Sequence, residues 1–252
     1  MKTTKLTALL IASCLSLVAS HANAALFTNS FGSLVPGYSS NDDSSWGAFG
    51  LGFDINFFGT AYNQIYLNNN GLVTFGGATS AYASSPINVQ STRPMITAFW
   101  TDLDTRNNPN ADAGVYLSQT STQTVITWNK MGYFSSNYSG YATFQVVLND
   151  SSAIPTGQGD IGFFYGSMSS GTDTHNASAG FGDGLSAVNA DELSWDTGRS
   201  SDVTSRLNDT SVWFNLNNGT PIVTPSNVPE PSGLALLGLG LAGIAFSRKK
   251  ST

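Results

Sequence analysis

Apolar and polar residues alternate over Phe53-Asp54-Ile55-Asn56-Phe57, the period of a strand with one buried face. Residues 64–68 and 72–75 read as two further strands on either side of Asn68-Asn69-Asn70-Gly71. Asn-Gly supplies the pair of positive φ angles of a type I′ turn, so this stretch predicts a hairpin. Residues 94–100, apolar except for Thr97, read as a buried strand. More strand-like runs follow at 115–118, 124–130, 142–149, 160–165, 177–182 and 211–216, separated by Gly, Asn and Ser. No stretch of the body holds a helical period. The expected fold class is therefore all-β, an antiparallel β-sandwich or jelly-roll-like domain.

The two ends follow different patterns. Lys2 and Lys5 precede an apolar run over 6–18, and Ala22-Asn23-Ala24 is a small-x-small cleavage site. This predicts a signal peptide over 1–24, cut between Ala24 and Ala25. Ile11-Ala12-Ser13-Cys14 offers a second route, acylation of Cys14. At the other end, residues 229–252 hold Pro229-Glu230-Pro231, an apolar run over 234–246 and the basic cluster Arg248, Lys249, Lys250. Thirteen apolar residues fall short of the roughly 20 that span a bilayer, yet they suit a short transmembrane helix with its basic end on the cytoplasmic side. Residues 220–228 read as a Pro/Thr/Ser linker, leaving 25–219 as the domain.

Charge and cysteine content narrow the function classes. Once both ends are set aside, five cations face fifteen acids, a net charge of about −10. Nucleic-acid binders carry a basic patch, so no nucleic-acid partner is expected. Cys14 is the only cysteine; cleavage after Ala24 leaves a body with no thiol nucleophile, thiolate metal site or disulfide.

Candidate chemistry concentrates in three places. Asp102, Asp104, Asn108 and Asp112 fall within eleven residues, and oxygen donors of this kind suit calcium. However, Arg106 stands where an EF-hand spacing needs a ligand, and it is a natural fork-like partner for Asp102 or Asp104. The preferred expectation is an ion-paired loop with no cofactor, and calcium is the alternative. As two carboxylates on one strand face, about 7 Å apart, Asp102 and Asp104 also fit a polysaccharide-acting hydrolase. Tyr133, Tyr138 and Tyr141, set among Ser, Asn and Gly, make a candidate binding surface. His175 sits in a polar loop with no nucleophile motif near it. A non-enzymatic protein is expected.

Two resemblances add to this reading. The triplet Pro229-Glu230-Pro231, the short helix and the basic end resemble the PEP-CTERM sorting signal of Gram-negative bacteria. That likeness implies two processing partners, signal peptidase and an exosortase. It also implies transient anchoring in the inner membrane and delivery to the cell surface or extracellular matrix. The run FDINFFGTAYNQIYLNNNGLVTFG, followed by FWTDLDTR and SAGFGDG, resembles the nidogen-like NIDO domain over residues 53–184. NIDO domains are extracellular, carry no catalytic activity and are usually assigned to cell–matrix adhesion. The resemblance implies a matrix polysaccharide or surface protein as partner, and a place in exopolysaccharide or biofilm association.

Overall fold

In the computed structural model of the chain, residues 26–82, Ile87, 93–185 and 194–223 are described. The signal segment with Ala24 and Ala25, and the tail with Pro229, Glu230, Pro231 and the expected helix at 234–246, lie outside them. Among the described residues no helix is long and apolar enough to cross a membrane.

The strands in chain order are β1 (Ser33–Leu34), β2 (Ser45–Phe57), β3 (Thr60–Asn68), β4 (Leu72–Thr74), β5 (Pro94–Trp100), β6 (Leu103–Asp104), β7 (Gly114–Gln119), β8 (Gln123–Tyr133), β9 (Asn137–Asn149), β10 (Ile161–Met168), β11 (Asn176–Asp183), β12 (Ser194–Arg199), β13 (Ser211–Asn217) and β14 (Thr220–Val223). One helix, α1 (Ser200–Leu207), lies between β12 and β13. The first sheet runs β1-β7-β8-β9-β10-β13-β14, with β6 pairing β8, and the second runs β12-β11-β5-β4-β3-β2. Every pairing is antiparallel. The all-β expectation holds. Consecutive strands stay in one sheet for a run of four (β2 to β5) and then of five (β6 to β10), so the chain does not switch sheets at every step.

The two sheets share one core. Ile55, Phe57 and Phe181 of the second sheet belong to the same buried cluster as Trp128, Phe144 and Phe163 of the first. Strict alternation appears in β2, where Leu51, Phe53, Ile55 and Phe57 are buried and the residues between them are exposed. Trp128 stacks on Phe144 with ring centroids 5.0 Å apart, and its Nε1 donates to Asn68 O at 3.0 Å. Indole burial is favourable here because the polar N–H is satisfied. The outer faces are partly covered as well. Phe27 packs with Val125, Val147 and Phe164 on the first sheet, while Leu72, Ile87, Met95 and Trp100 cluster on the second.

Three local expectations change. The Asn68–Gly71 connection is a three-residue loop, because Asn68 faces Leu72 across the ladder and only Gly71, at φ +85°, takes positive φ. A Cβ at Gly71 would collide with Phe99 O, so glycine is required there twice over. The two-residue type I′ turn occurs instead at Asn218-Gly219, with φ +50° and +87° between paired Asn217 and Thr220. Residues 220–223 are consequently strand β14, and the rest of the linker expected over 220–228 lies outside the described residues. Helix α1 went unpredicted because its buried positions, Ser200, Val203, Thr204 and Leu207, keep helical spacing with only two apolar side chains.

Candidate functional site

The chain leaves the second sheet at Trp100 and enters the first at Leu103. Asp102 sits in this crossing. Thr101 Oγ1 donates to Asn176 O at 2.9 Å, and Phe134 N donates to Asp102 O at 3.0 Å. Both ends of the crossing are thereby fixed, and a cleft of about 620 Å³ opens beside it, lined by Asp43, Tyr82, Asp102, Phe134, Thr174, His175 and Asn176.

The asparagines read as a turn hold the cleft together. Asn68, Asn69 and Asn70 are fully buried. Asn70 Oδ1 accepts from Leu103 N at 2.6 Å, and its Nδ2 donates to Asp43 Oδ1 at 3.0 Å. Asn69 Nδ2 donates to Leu103 O, and Asn68 Nδ2 to Thr79 O. Asn41, Ser44 and Thr105 tie the loop that carries Asp42 and Asp43 to the same place: Asn41 N donates to Thr105 Oγ1 at 2.8 Å, and Ser44 N to Asn41 Oδ1 at 2.9 Å.

The acidic residues divide into separate groups. Asp104 is fully buried and belongs to Arg106. The guanidinium meets it through Nε at 3.0 Å and Nη2 at 2.7 Å, and the backbone N–H groups of Arg106 and Ser136 add bonds at 2.8 and 3.0 Å. Arg106 Nη2 also reaches Asp42 Oδ2 at 2.7 Å. The hydrogen bond to Asp104 holds the guanidinium proton more firmly than usual. Asp112 pairs with Lys130 Nζ at 2.8 Å, which holds its carboxyl below the usual range. Asn108 closes its own turn, accepting from Asn110 N at 2.9 Å and donating to Lys130 O at 2.9 Å. Asp102, Asp104, Asn108 and Asp112 therefore do not converge on one point. Arg106 takes Asp104 and Asp42, with Asp102 left to the cleft.

Asp102 is 6% exposed, and its Oδ1 has no hydrogen-bond partner. Burial, followed by the charges of Asp43 and Asp42, pushes its carboxyl up to about 6; His175 opposes this. Asp42 is raised as well, by burial and then by Asp104 and Asp43, against the pull of Arg106. Across the cleft His175 is oriented by Asp173, with Nδ1 to Oδ1 at 2.6 Å, and Ser200 Oγ donates to Asp173 Oδ2 at 2.5 Å. The serine contacts the carboxylate and not the imidazole, which is not the arrangement of an activated nucleophile. Phe134 sets its ring edge against His175 at 5.5 Å.

The tyrosines also separate. Tyr133 is fully buried, donates to Ser169 O at 3.1 Å and has its phenol pushed up by burial. Tyr138 and Tyr141 stack on each other at 6.1 Å, and Tyr138 OH donates to Arg106 O. The aromatic surface that faces the cleft is Phe134, 47% exposed, and Tyr82, 52% exposed. Asp42, Asp43 and Tyr82 were missed in the sequence. The Asp-Asp pair in the 41–45 turn was the available signal, and it reads as ordinary turn composition.

Taken together, the geometry is that of a two-sheet β domain with an acidic, aromatic-flanked cleft where the chain crosses between sheets. The NIDO-related family matches residues 19–221, and this chain belongs to it. A PEP-CTERM protein-sorting motif matches residues 227–249. The two together mark an exported, surface-associated protein. The chain is similar to Nidogen of Drosophila melanogaster, 26% identical over 119 residues, covering 37% of this chain and 9% of that protein. It is also similar to Alpha-tectorin of Mus musculus, 34% identical over 62 residues, and of Homo sapiens, 32% identical over 62 residues; each match covers 25% of this chain and 3% of the relative. The chain thus spans under a tenth of the length of these relatives. No solved structure matches it significantly.

Proposed function

We propose that this chain is a non-enzymatic adhesive protein of the cell surface or extracellular matrix. It is cut by signal peptidase at Ala24/Ala25 and by an exosortase near Pro229-Glu230-Pro231. Its NIDO-related domain then holds a matrix polysaccharide or a surface protein. The observation that carries this reading is the succession of the two matches, a sorting motif at 227–249 directly after a domain match at 19–221. The cleft supports it, since ring faces beside hydrogen-bonding groups suit neutral sugars. Intact-mass measurement of the exported form is the test. The expected chain begins at Ala25 and lacks residues 234–252. A chain that retains them would end the sorting reading, and one beginning at an acylated Cys14 would replace the signal-peptidase reading.

The hydrolase alternative needs Asp102 and Asp104 as a working pair. Of the two, only Asp102 faces the cleft, because Asp104 is buried under Arg106. That pair is therefore unavailable; Asp43, the second carboxylate lining the cleft, is tied through Oδ1 to Asn70 Nδ2, and binding is the favoured role. Release of reducing sugar from the producer's own exopolysaccharide, lost in Asp102→Asn, would reverse that preference.

A further inference from the structure

We propose that Asp42, Asp43 and Asp102 form a calcium site at the floor of the cleft. One carboxylate oxygen from each lies within 4.8 Å of the other two. Oxygen ligands on opposite sides of a calcium ion stand about 4.6–5.2 Å apart, twice the ordinary Ca–O distance, so a single ion can touch all three.

A cluster of acids alone does not make such a site; the unused oxygens do. Asp102 Oδ1 and Asp42 Oδ1 are both buried, and neither has a hydrogen-bond partner. Buried carboxylate oxygens in proteins are ordinarily satisfied, and an unpaired buried charge is costly. The remaining oxygens of the loop carboxylates are held in ways that aim the free ones. Arg106 Nη2 grips Asp42 Oδ2 at 2.7 Å, and Asn70 Nδ2 grips Asp43 Oδ1 at 3.0 Å. Orienting partners of this kind behind a ligand carboxylate are typical of metal sites.

The cation nearest the cluster neutralises it only in part. Arg106 is shared between Asp42 and fully buried Asp104, and it makes no ion pair with Asp102. Three hard carboxylate donors favour calcium over magnesium, which keeps most of its water and takes one or two carboxylates. Transition metals favour imidazole or thiolate, and the cluster contains neither.

The proposal is independent of the adhesive reading, since the test measures the ion alone. The full chain, purified in mild detergent and freed of metal with EDTA, is titrated with CaCl2 and with MgCl2 by calorimetry. Thermal unfolding is followed in parallel. The expected result is one calcium ion per chain, with Kd of about 10⁻⁴–10⁻³ M as for extracellular modules, and a higher Tm in 10 mM CaCl2 than in EDTA. Asp102→Asn and Asp42→Asn should each weaken binding at least tenfold, while Asp112→Asn binds as the parent does. Asp43→Ser, at a half-buried loop position, serves as a further variant should Asp102→Asn fold poorly. No heat and no Tm change up to 10 mM CaCl2, or calcium binding unchanged in the Asp102 and Asp43 variants, would overturn the site. Equally tight magnesium binding would overturn the choice of ion.

Discussion

Asn70→Ala is the sharpest test of how the cleft is built. The side chain is fully buried and serves two neighbours, accepting from Leu103 N at 2.6 Å and donating to Asp43 Oδ1 at 3.0 Å. Truncation strands the Leu103 N–H in a buried crossing, at a cost of about 1–3 kcal/mol. It also removes a bond to a carboxylate, worth about 1.5–3 kcal/mol; the lower end applies because that contact is only part-buried. The sum is about 3 kcal/mol, or about 6–12 °C in Tm for a domain of this size. Urea unfolding followed by tryptophan fluorescence should show a lower midpoint with an unchanged slope. Asn63→Ala, at an exposed position on β3, the strand that leads into this loop, should stay within about 0.5 kcal/mol of the parent. Asn70→Asp adds a second discriminator. It keeps an acceptor for Leu103 N but sets a new carboxylate against Asp43, so it should destabilise at neutral pH and recover on acidification. A loss below about 1 kcal/mol in Asn70→Ala would refute the claim that this side chain fastens the crossing.

Two further outcomes are expected. Gly219→Ala should destabilise more than Gly157→Ala in the same urea assay. Both glycines have φ near +85°, costing an alanine about 1–2 kcal/mol, but a Cβ at Gly219 would also lie 2.5 Å from Gly59 N, whereas nothing is within 4 Å of Gly157; equal losses would refute the close approach of the two hairpin tips. In EDTA, stability should rise as pH falls from 7 towards 5. Asp102 has a folded-state value of about 6 against an ordinary 3.8, so the folded state binds the proton more tightly and the penalty of the buried charge disappears as the pH falls through 6. Unfolding midpoints flat or falling over that range, or the same rise in Asp102→Asn, would contradict the assignment.

Much of the sheet architecture was legible because alternation reports directly on which face is buried. The 53–57 pattern marked the inward face of β2 correctly, but the strand begins at Ser45. Its first half is rich in Gly and carries no alternation to read. Turn chemistry was legible in kind and misassigned in place: Asn-Gly marks the type I′ turn at 218–219, while the same dipeptide at 70–71 closes a longer loop. The site was largely illegible, for a physical reason. Asp42 and Asp43 are about sixty residues from Asp102 in the chain, and only the path of residues 101–103 between sheets brings them together. Arg106 was expected to take Asp102 or Asp104. It took Asp104, where two backbone N–H groups already converge on the carboxylate, and its second partner, Asp42, was beyond the reach of local reading. Tyr133 looked like its neighbours in composition, but a strand position facing inward buried it.

The outer strands of the sheets limit how copies of this protein can join one another. A long, flat, unpaired strand invites another chain to add to it. Here β1 has two residues, β14 has four and includes Pro221, and β2 breaks register twice along its length, between Trp46 and Phe49 and between Gly50 and Ile55. Helix α1 packs beside β12. None of these borders offers a regular backbone template. Edge-to-edge pairing of backbones therefore gains little in a densely displayed layer of this protein, and cohesion between neighbours falls to side chains and whatever they hold in common.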